Sequence, residues 1–353
     1  VTRRRALALA LLPALAACTS IGPDRLNRDQ LEYTLAMSEG SKRQTLFNIV
    51  RLRYADAPAF VSVNQLVSTY SLQRSGGASM EAFPRASGST FFGLTGGLQL
   101  TDTPTFTMQP VNGQQFVNAY VAPLAPHEVV PLIQGGVPVE LLLGLVAQSI
   151  GGLQNTHPLA HRGREGSPQF YALLGLLKRL QEGGVLGTQV RRVKDGSQAF
   201  LIFNTSNTPD LVPVVREVFA LVDLDPKTQE AAVVYGSLRE KGEKRQIPLV
   251  TRSLLGVMAA VAAEIEVAPA DVARGRTMPT LREYRGARPL LQIHTGPERP
   301  TDAYAAVKLR DAWHWIADDD FHSKSVFSLL ELLKSIAESN QNQTAPVLTI
   351  PAR

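Results

Sequence analysis

Across 353 residues, 44% of them hydrophobic, the chain carries enough apolar material for a sizeable buried core, and its length suggests about two domains. The formal net charge is +5, but Arg3, Arg4 and Arg5 supply three of those charges and the remainder stands at +2; with no basic helix and no alternation of basic and aromatic residues, nucleic acid is excluded as a partner. A single cysteine, Cys18, excludes an internal disulfide and a thiolate metal cluster, so the fold has to stand on packing.

The first eighteen residues, VTRRRALALALLPALAAC, place three arginines before an apolar run from Ala6 to Ala14 and small residues at Ala16 and Ala17. That is the layout of a secretory signal. As a helix, Ala6 to Ala17 reaches only about 18 Å against about 30 Å of hydrocarbon, too short to span a bilayer. The sequence LAAC at 15–18 resembles the lipobox of bacterial lipoproteins. The resemblance implies a signal peptide of residues 1–17, a thioether-linked diacylglycerol on Cys18, cleavage before that cysteine and acylation of the new amine, as by palmitate. Thr19, standing where an inner-membrane lipoprotein carries aspartate, implies the periplasmic face of the outer membrane. Each buried methylene of such an anchor contributes about 0.8 kcal/mol.

Beyond a lipidated tether (18–27), the chain reads as an N-terminal α+β domain over 28–150. Two helices joined near Gly40 open it, the second capped by Ser41, carrying Leu46, Ile49 and Val50 on one side, and stopped by Pro58. Two extended segments follow, with a Gly/Ser-rich stretch (74–89) between them. In the second, Phe92, Leu94, Leu98 and Leu100 alternate with Gly93, Thr95, Gly97 and Gln99, and after a turn at TDTP (101–104) Phe106 and Met108 alternate with threonines. In the first, Val61 and Val63 share one parity and Leu66, Tyr70 and Leu72 the other, which predicts a β-bulge. Helical patterns fill 112–150, and no later run is apolar enough for a spanning helix.

The loop GGLQNTHPLAHRGREGS (151–167) reads as a boundary, and a C-terminal α+β domain (151–353) follows. Its opening order is helix 168–182, strand 188–194, a turn at Asp195–Gly196, strand 198–203, helix 209–221 and strand 230–236. This αββαβ order resembles the ring-building modules of secretin and injectisome components. A helix over 251–263, strands near 290–295, 304–309 and 312–316, a helix over 321–338 and an extended piece at 345–351 complete the chain. The fold class is therefore α+β, mixed helices with small antiparallel sheets. The blocks LFNIVRLRYADAPAFVSV (46–63), PTFTMQPVNGQQFVNAYVAPL (104–124), TRSLLGVM (251–258) and HSKSVFSLLELLKSIAES with APVLTIP (322–351) resemble a family of uncharacterised exported proteins of Gram-negative bacteria, a resemblance that implies no activity.

Chemistry-bearing clusters are few. His157 and His161 have the i, i+4 spacing of helical metal ligands, but Pro158 and the missing glutamate of the zincin pattern argue against ligation. In WHWIADDDFH (313–322), Trp313 and Trp315 share a strand face and Asp318, Asp319, Asp320 and His322 follow; such a set can do acid–base work or, more commonly, turn the chain and cap the next helix. Arg51 and Arg53, beside Asp56, suit an anion or a structural ion pair. No nucleophile elbow, P-loop, dinucleotide glycine pattern or EF-hand loop is present. No catalytic, cofactor-binding or metal residue is assigned, no cofactor is expected, and Cys18 is the one modification site.

Three readings follow. The first is an outer-membrane-anchored periplasmic lipoprotein acting as a binding or assembly component with other envelope proteins. In the second, a homo-oligomeric pore or secretion subunit donates β-hairpins: segments 64–73 and 90–100 match the 9–11 residues of a tilted transmembrane strand. The third is a periplasmic hydrolase using Asp320 and His322.

Overall fold

The computed structural model describes residues 22–82, 90–157, 165–194, 196–236, 243–281 and 289–339; for 22–29, 64–82 and 90–106 the description is of the backbone. The expected signal segment (1–17), Cys18, His161 and the piece at 345–351 lie outside these residues. The fold is α+β. By its contacts the chain divides into two units: Ala59–Gly113, and the two stretches that flank it.

The larger unit opens with α1 (Gly22–Arg53), one continuous helix of 32 residues where two were expected. Gly40 does not break it, because a mid-helix glycine costs only about 1 kcal/mol and the cooperative ladder on both sides outweighs that. Leu31 and Leu35 are exposed, while Leu46, Ile49 and Val50 are fully buried, so only the last turns of α1 join the core.

A six-stranded sheet in the order β4-β3-β8-β7-β6-β5 organises most of that core. Its strands are β3 (Ala147–Ile150), β4 (Leu153–Gln154), β5 (Leu186–Val193), β6 (Gly196–Phe203), β7 (Glu230–Tyr235) and β8 (Gln246–Thr251). All neighbouring pairs are antiparallel except β7 and β8. Helices α2 (Val139–Val146), α3 (Pro168–Glu182) and α4 (Val212–Leu221) supply the apolar cover. Ser167 caps α3 by accepting from the Phe170 N–H at 3.3 Å, and Pro168 follows it at a position whose N–H has no helical partner. Along β6, Ala199, Leu201 and Phe203 are buried, and Phe203 meets Phe219 of α4 edge-on at 4.9 Å. Leu143, Leu173, Leu177, Val218 and Val233 close the same core.

The expected order of α3, β5, β6, α4 and β7 is present, with β5 and β6 starting two residues early. Residues 147–150, expected as helix, instead form β3, and β8 was not foreseen. Pro248 hides it: a proline argues against a central strand. Here the position is permitted, because the last β3 partner is Ile150 opposite Leu249, and residue 248 lies one step past it. The stretch from 151, read as a domain boundary, connects elements that belong to this one sheet.

Helix α5 (Leu254–Ala263) leads to a second sheet, β10-β11-β9, made of β9 (His294–Gly296), β10 (Ala303–Leu309) and β11 (Ala312–Ala317), and then to α6 (Phe321–Ser339). α1 packs on β10 and α5. Lys334 of α6, 7% exposed, donates to Ser41 Oγ at 3.0 Å, while Tyr120 donates to Glu338 at 2.5 Å.

The smaller unit is a two-stranded antiparallel ribbon, β1 (Val61–Ala82) with β2 (Thr90–Pro110). Two expectations are corrected here. Residues 74–82 are strand rather than linker, pairing with 90–98, and β2 runs through 101–104 without turning. The glycines and serines of 75–79 were misread as loop because they lie opposite other small residues, Gly76 on Gly96 and Ser79 on Gly93, where the ladder needs no side-chain bulk. The register does shift between Val63 and Gln65, where the change of parity predicted a bulge.

Candidate functional site

The ribbon has the chemistry of an element built to be covered. Its register places Leu66 and Phe106, Leu72 and Leu100, Ala78 and Leu94, and Met80 and Phe92 on one face. The other face carries Gln73 with Gln99, Ser71 with Thr101, Thr69 with Thr103 and Ser75 with Gly97. One face is apolar, interrupted by Arg74 and Asp102; the other is polar, and Glu81 is its only charged residue. Both outer edges lack a strand partner among the described residues. A two-stranded hairpin is marginal in water, and open edges with an apolar face are an invitation to pair. Gly76, Gly77, Gly96 and Gly97 cluster toward the distal third of the ribbon, at positions where a sheet can curve.

Asp320 proves to be a cap. Its Oδ1 accepts from the Ser323 N–H at 3.0 Å and its Oδ2 from the Ser323 hydroxyl at 2.6 Å, which fixes the start of α6. Ser323 Oγ in turn accepts from the Gln292 N–H at 3.0 Å. Asp318 pairs with Lys324 at 3.1 Å. Asp320 and Asp318 are thus engaged at the start of a helix. Among the described residues no group of three or more His, Cys, Asp or Glu is arranged to hold a metal, and of the His157–His161 pair only His157 lies within the described residues.

Trp313 and Trp315 do share the outer face of β11: Arg299 lies over Trp313 at 5.5 Å and His294 stacks on Trp315 at 5.5 Å. Between them, on the inner face, His314 is fully buried. The Thr295 hydroxyl donates its one proton to the Glu266 carbonyl at 3.1 Å, so at 2.9 Å it accepts from His314 Nδ1–H. Nε2 is then a bare acceptor, buried with no hydrogen-bond partner among the described residues. Burial pushes the His314 pKa down to about 4.

That depression has a sign. The unfolded chain takes up a proton on this imidazole near pH 6.5, and the folded chain refuses it until about pH 4, so the contribution to stability is complete above pH 6.5 and falls as pH drops toward 4. A loss of up to about 3 kcal/mol over that window is expected from the linkage. Urea unfolding of wild type and His314→Phe at pH 7 and pH 5 checks it: the variant should show the weaker pH dependence, and equal slopes would refute the assignment.

Arg53 does not pair with Asp56. It is buried, donating from Nε to the Ile265 carbonyl at 3.1 Å, and to Thr277 and Thr280 hydroxyls at 3.0 and 3.2 Å, while Asp56 faces Arg310 at 3.6 Å. Burial lowers its pKa. The guanidinium is a clamp between the end of α1 and the chain after α5.

Sequence reasoning passed over Arg252, which stands just beyond β8 and is 4% exposed. It donates from its backbone N–H to Val146 O at 2.7 Å, from Nη1 to Gly144 O at 3.2 Å and Leu145 O at 2.9 Å, and from Nη2 to Thr156 O. Asn155 adds Nδ2 bonds to Gly144 O and Ala147 O at 2.9 and 2.8 Å. Gly144, Leu145 and Val146 present the carbonyls that the C-terminus of α2 leaves without helical partners, where a cation also meets the negative end of the helix dipole. Nothing local in the sequence marks it, because the residues that meet at Arg252 are about a hundred positions apart.

No helix among the described residues is long and apolar enough to cross a membrane. Against protein-family models, curated proteins and solved structures, the chain found no match.

Proposed function

We propose that the protein is a lipid-anchored envelope component whose own copies assemble through the β1–β2 ribbon, each contributing one hairpin to a shared β-barrel across the outer membrane. The observation that carries this is the ribbon's division into an apolar face and a polar face on which Glu81 is the one charged residue, with both edges open among the described residues. Neighbouring copies would satisfy the edges, and lipid would cover the apolar face, which is the one closed arrangement in which a sheet can cross hydrocarbon. The anchor on Cys18 would hold each copy at the membrane surface while assembly proceeds.

Arg74 sets the inner limit of the span. From Arg74 to Ala82 the strand advances eight residues, roughly 27 Å, or about 21 Å in height at a tilt of about 40°. An apolar band in such barrels is about 25 Å tall, and an arginine at its border reaches to the aqueous side. The remaining residues, 61–73 with 99–110, exceed what the bilayer needs and would continue the barrel on the periplasmic side.

The test uses the native lipidated protein extracted in detergent. Rings that survive the detergent and conduct in planar bilayers support the reading; a monomer that never conducts rejects it. Cys18→Ser should release the protein from membranes, and its retention there would remove the anchor from the argument.

A further inference from the structure

Trp313 and Trp315 are the only tryptophans in the chain, and both stand half-buried on the outer face of the second sheet. We infer that this face is a binding platform for an acidic oligosaccharide, whose sugar rings stack on the two indoles while its carboxylates meet Lys308 and Arg299.

The register assembles the platform. Lys308, Trp313 and Gly296 form one row across β10, β11 and β9, and Ala306, Trp315 and His294 form the next. His314, between the tryptophans, turns the other way into the core, where Tyr54 of α1 meets it edge-on at 6.3 Å. Two residues along a strand separate the indoles by roughly 7 Å, room for one sugar ring on each. A Cβ on Gly296 would stand 3.2 Å from Trp315 Cη2, so that ring lies down over β9 rather than standing away from the sheet.

Charge and shape select the ligand. The ionisable side chains of the two rows, Lys308 and His294, are both basic, and the exposed Arg299 adds a third over Trp313. Among the described residues neither Lys308 nor Arg299 is paired with a carboxylate. Glu298, Asp302 and Asp311 occupy the bends and the turn at the ends of the strands. The negative face of an indole attracts the C–H bonds that line one side of a sugar ring, and the hydroxyls and carboxylate at the rim then find N–H donors beside it. A bilayer suits this face less well, because tryptophans that enter a membrane interface project from the fold, and these are held against it.

With no other tryptophan present, emission from the native lipidated protein in neutral detergent reads this face alone. A tetramer of galacturonic acid should shift the emission to the blue and protect it from acrylamide, and the uncharged galactose tetramer should bind about tenfold more weakly. The double variant Arg299→Gln, Lys308→Gln keeps both fluorophores and should bring the acidic sugar to the level of the neutral one. Gly296→Ala, which pushes Trp315 off β9, should weaken both sugars with the far-UV circular dichroism unchanged. Polyglutamate carries the charge without the rings, and an equal response to it would overturn the stacking. Emission that answers to phosphatidylglycerol in the micelle but not to the sugar would hand the face to a membrane surface, and silence toward the acidic sugar would end the inference. None of these outcomes bears on the barrel.

Discussion

Leu94→Arg should eliminate conducting channels while leaving the larger unit folded. Leu94 pairs with Ala78, midway between Arg74 and Ala82, so a charge there would sit near the middle of the hydrocarbon. At that depth an arginine on the lipid side of a barrel costs about 2–4 kcal/mol, and the cost recurs in every copy of the ring. The neighbour supplies the control. Thr95, paired with Gly77, lies on the opposite face, and Thr95→Arg should still assemble, with a changed conductance. Single-channel recording and native gels read both. Equal damage from the two substitutions would show that the faces are not distinguished by lipid, and the barrel would have to be abandoned.

A second large effect is expected in the larger unit. Arg252→Met keeps much of the side chain's length and removes the donors to Leu145 O and Thr156 O. A buried carbonyl left without its donor costs about 1–3 kcal/mol, so about 4 kcal/mol is expected for the two. Arg252→Lys retains the charge but not the planar fork that reaches both sides, and should recover less than half of it. The urea midpoint reports the loss, with the slope unchanged if two-state behaviour persists. A change below about 1 kcal/mol would mean that Asn155 and water between them can satisfy this helix end.

How far each element could be read from the sequence depended on the range of the information that fixes it. The helix 321–338 is marked by its own periodicity, and its Asp320 cap by a local acidic run, so both could be read three or four residues at a time. The bulge near Asn64 was legible for the same reason: a change of parity is a local mark. The ribbon beyond residue 73 was not, because glycine and serine signal flexibility when read singly and become strand only when their cross-strand partners are equally small. β8 needed still more distant knowledge, namely where β3 ends. Arg53 shows the limit for the site. Its nearest carboxylate in sequence, Asp56, was the natural partner to expect, yet its three acceptors come from residues 265, 277 and 280.

The sheet order carries a consequence for how the chain matures. β3 finds its central partner in β8, almost a hundred residues later, and the buried side of α1 waits for β10, at 303–309. Closing loops of that size is slow relative to local pairing. A nascent chain therefore cannot seal its first third until its last quarter has arrived. The hairpin 61–110, whose partners adjoin one another along the chain, faces no such delay, and would be zipped while the body around it is still open.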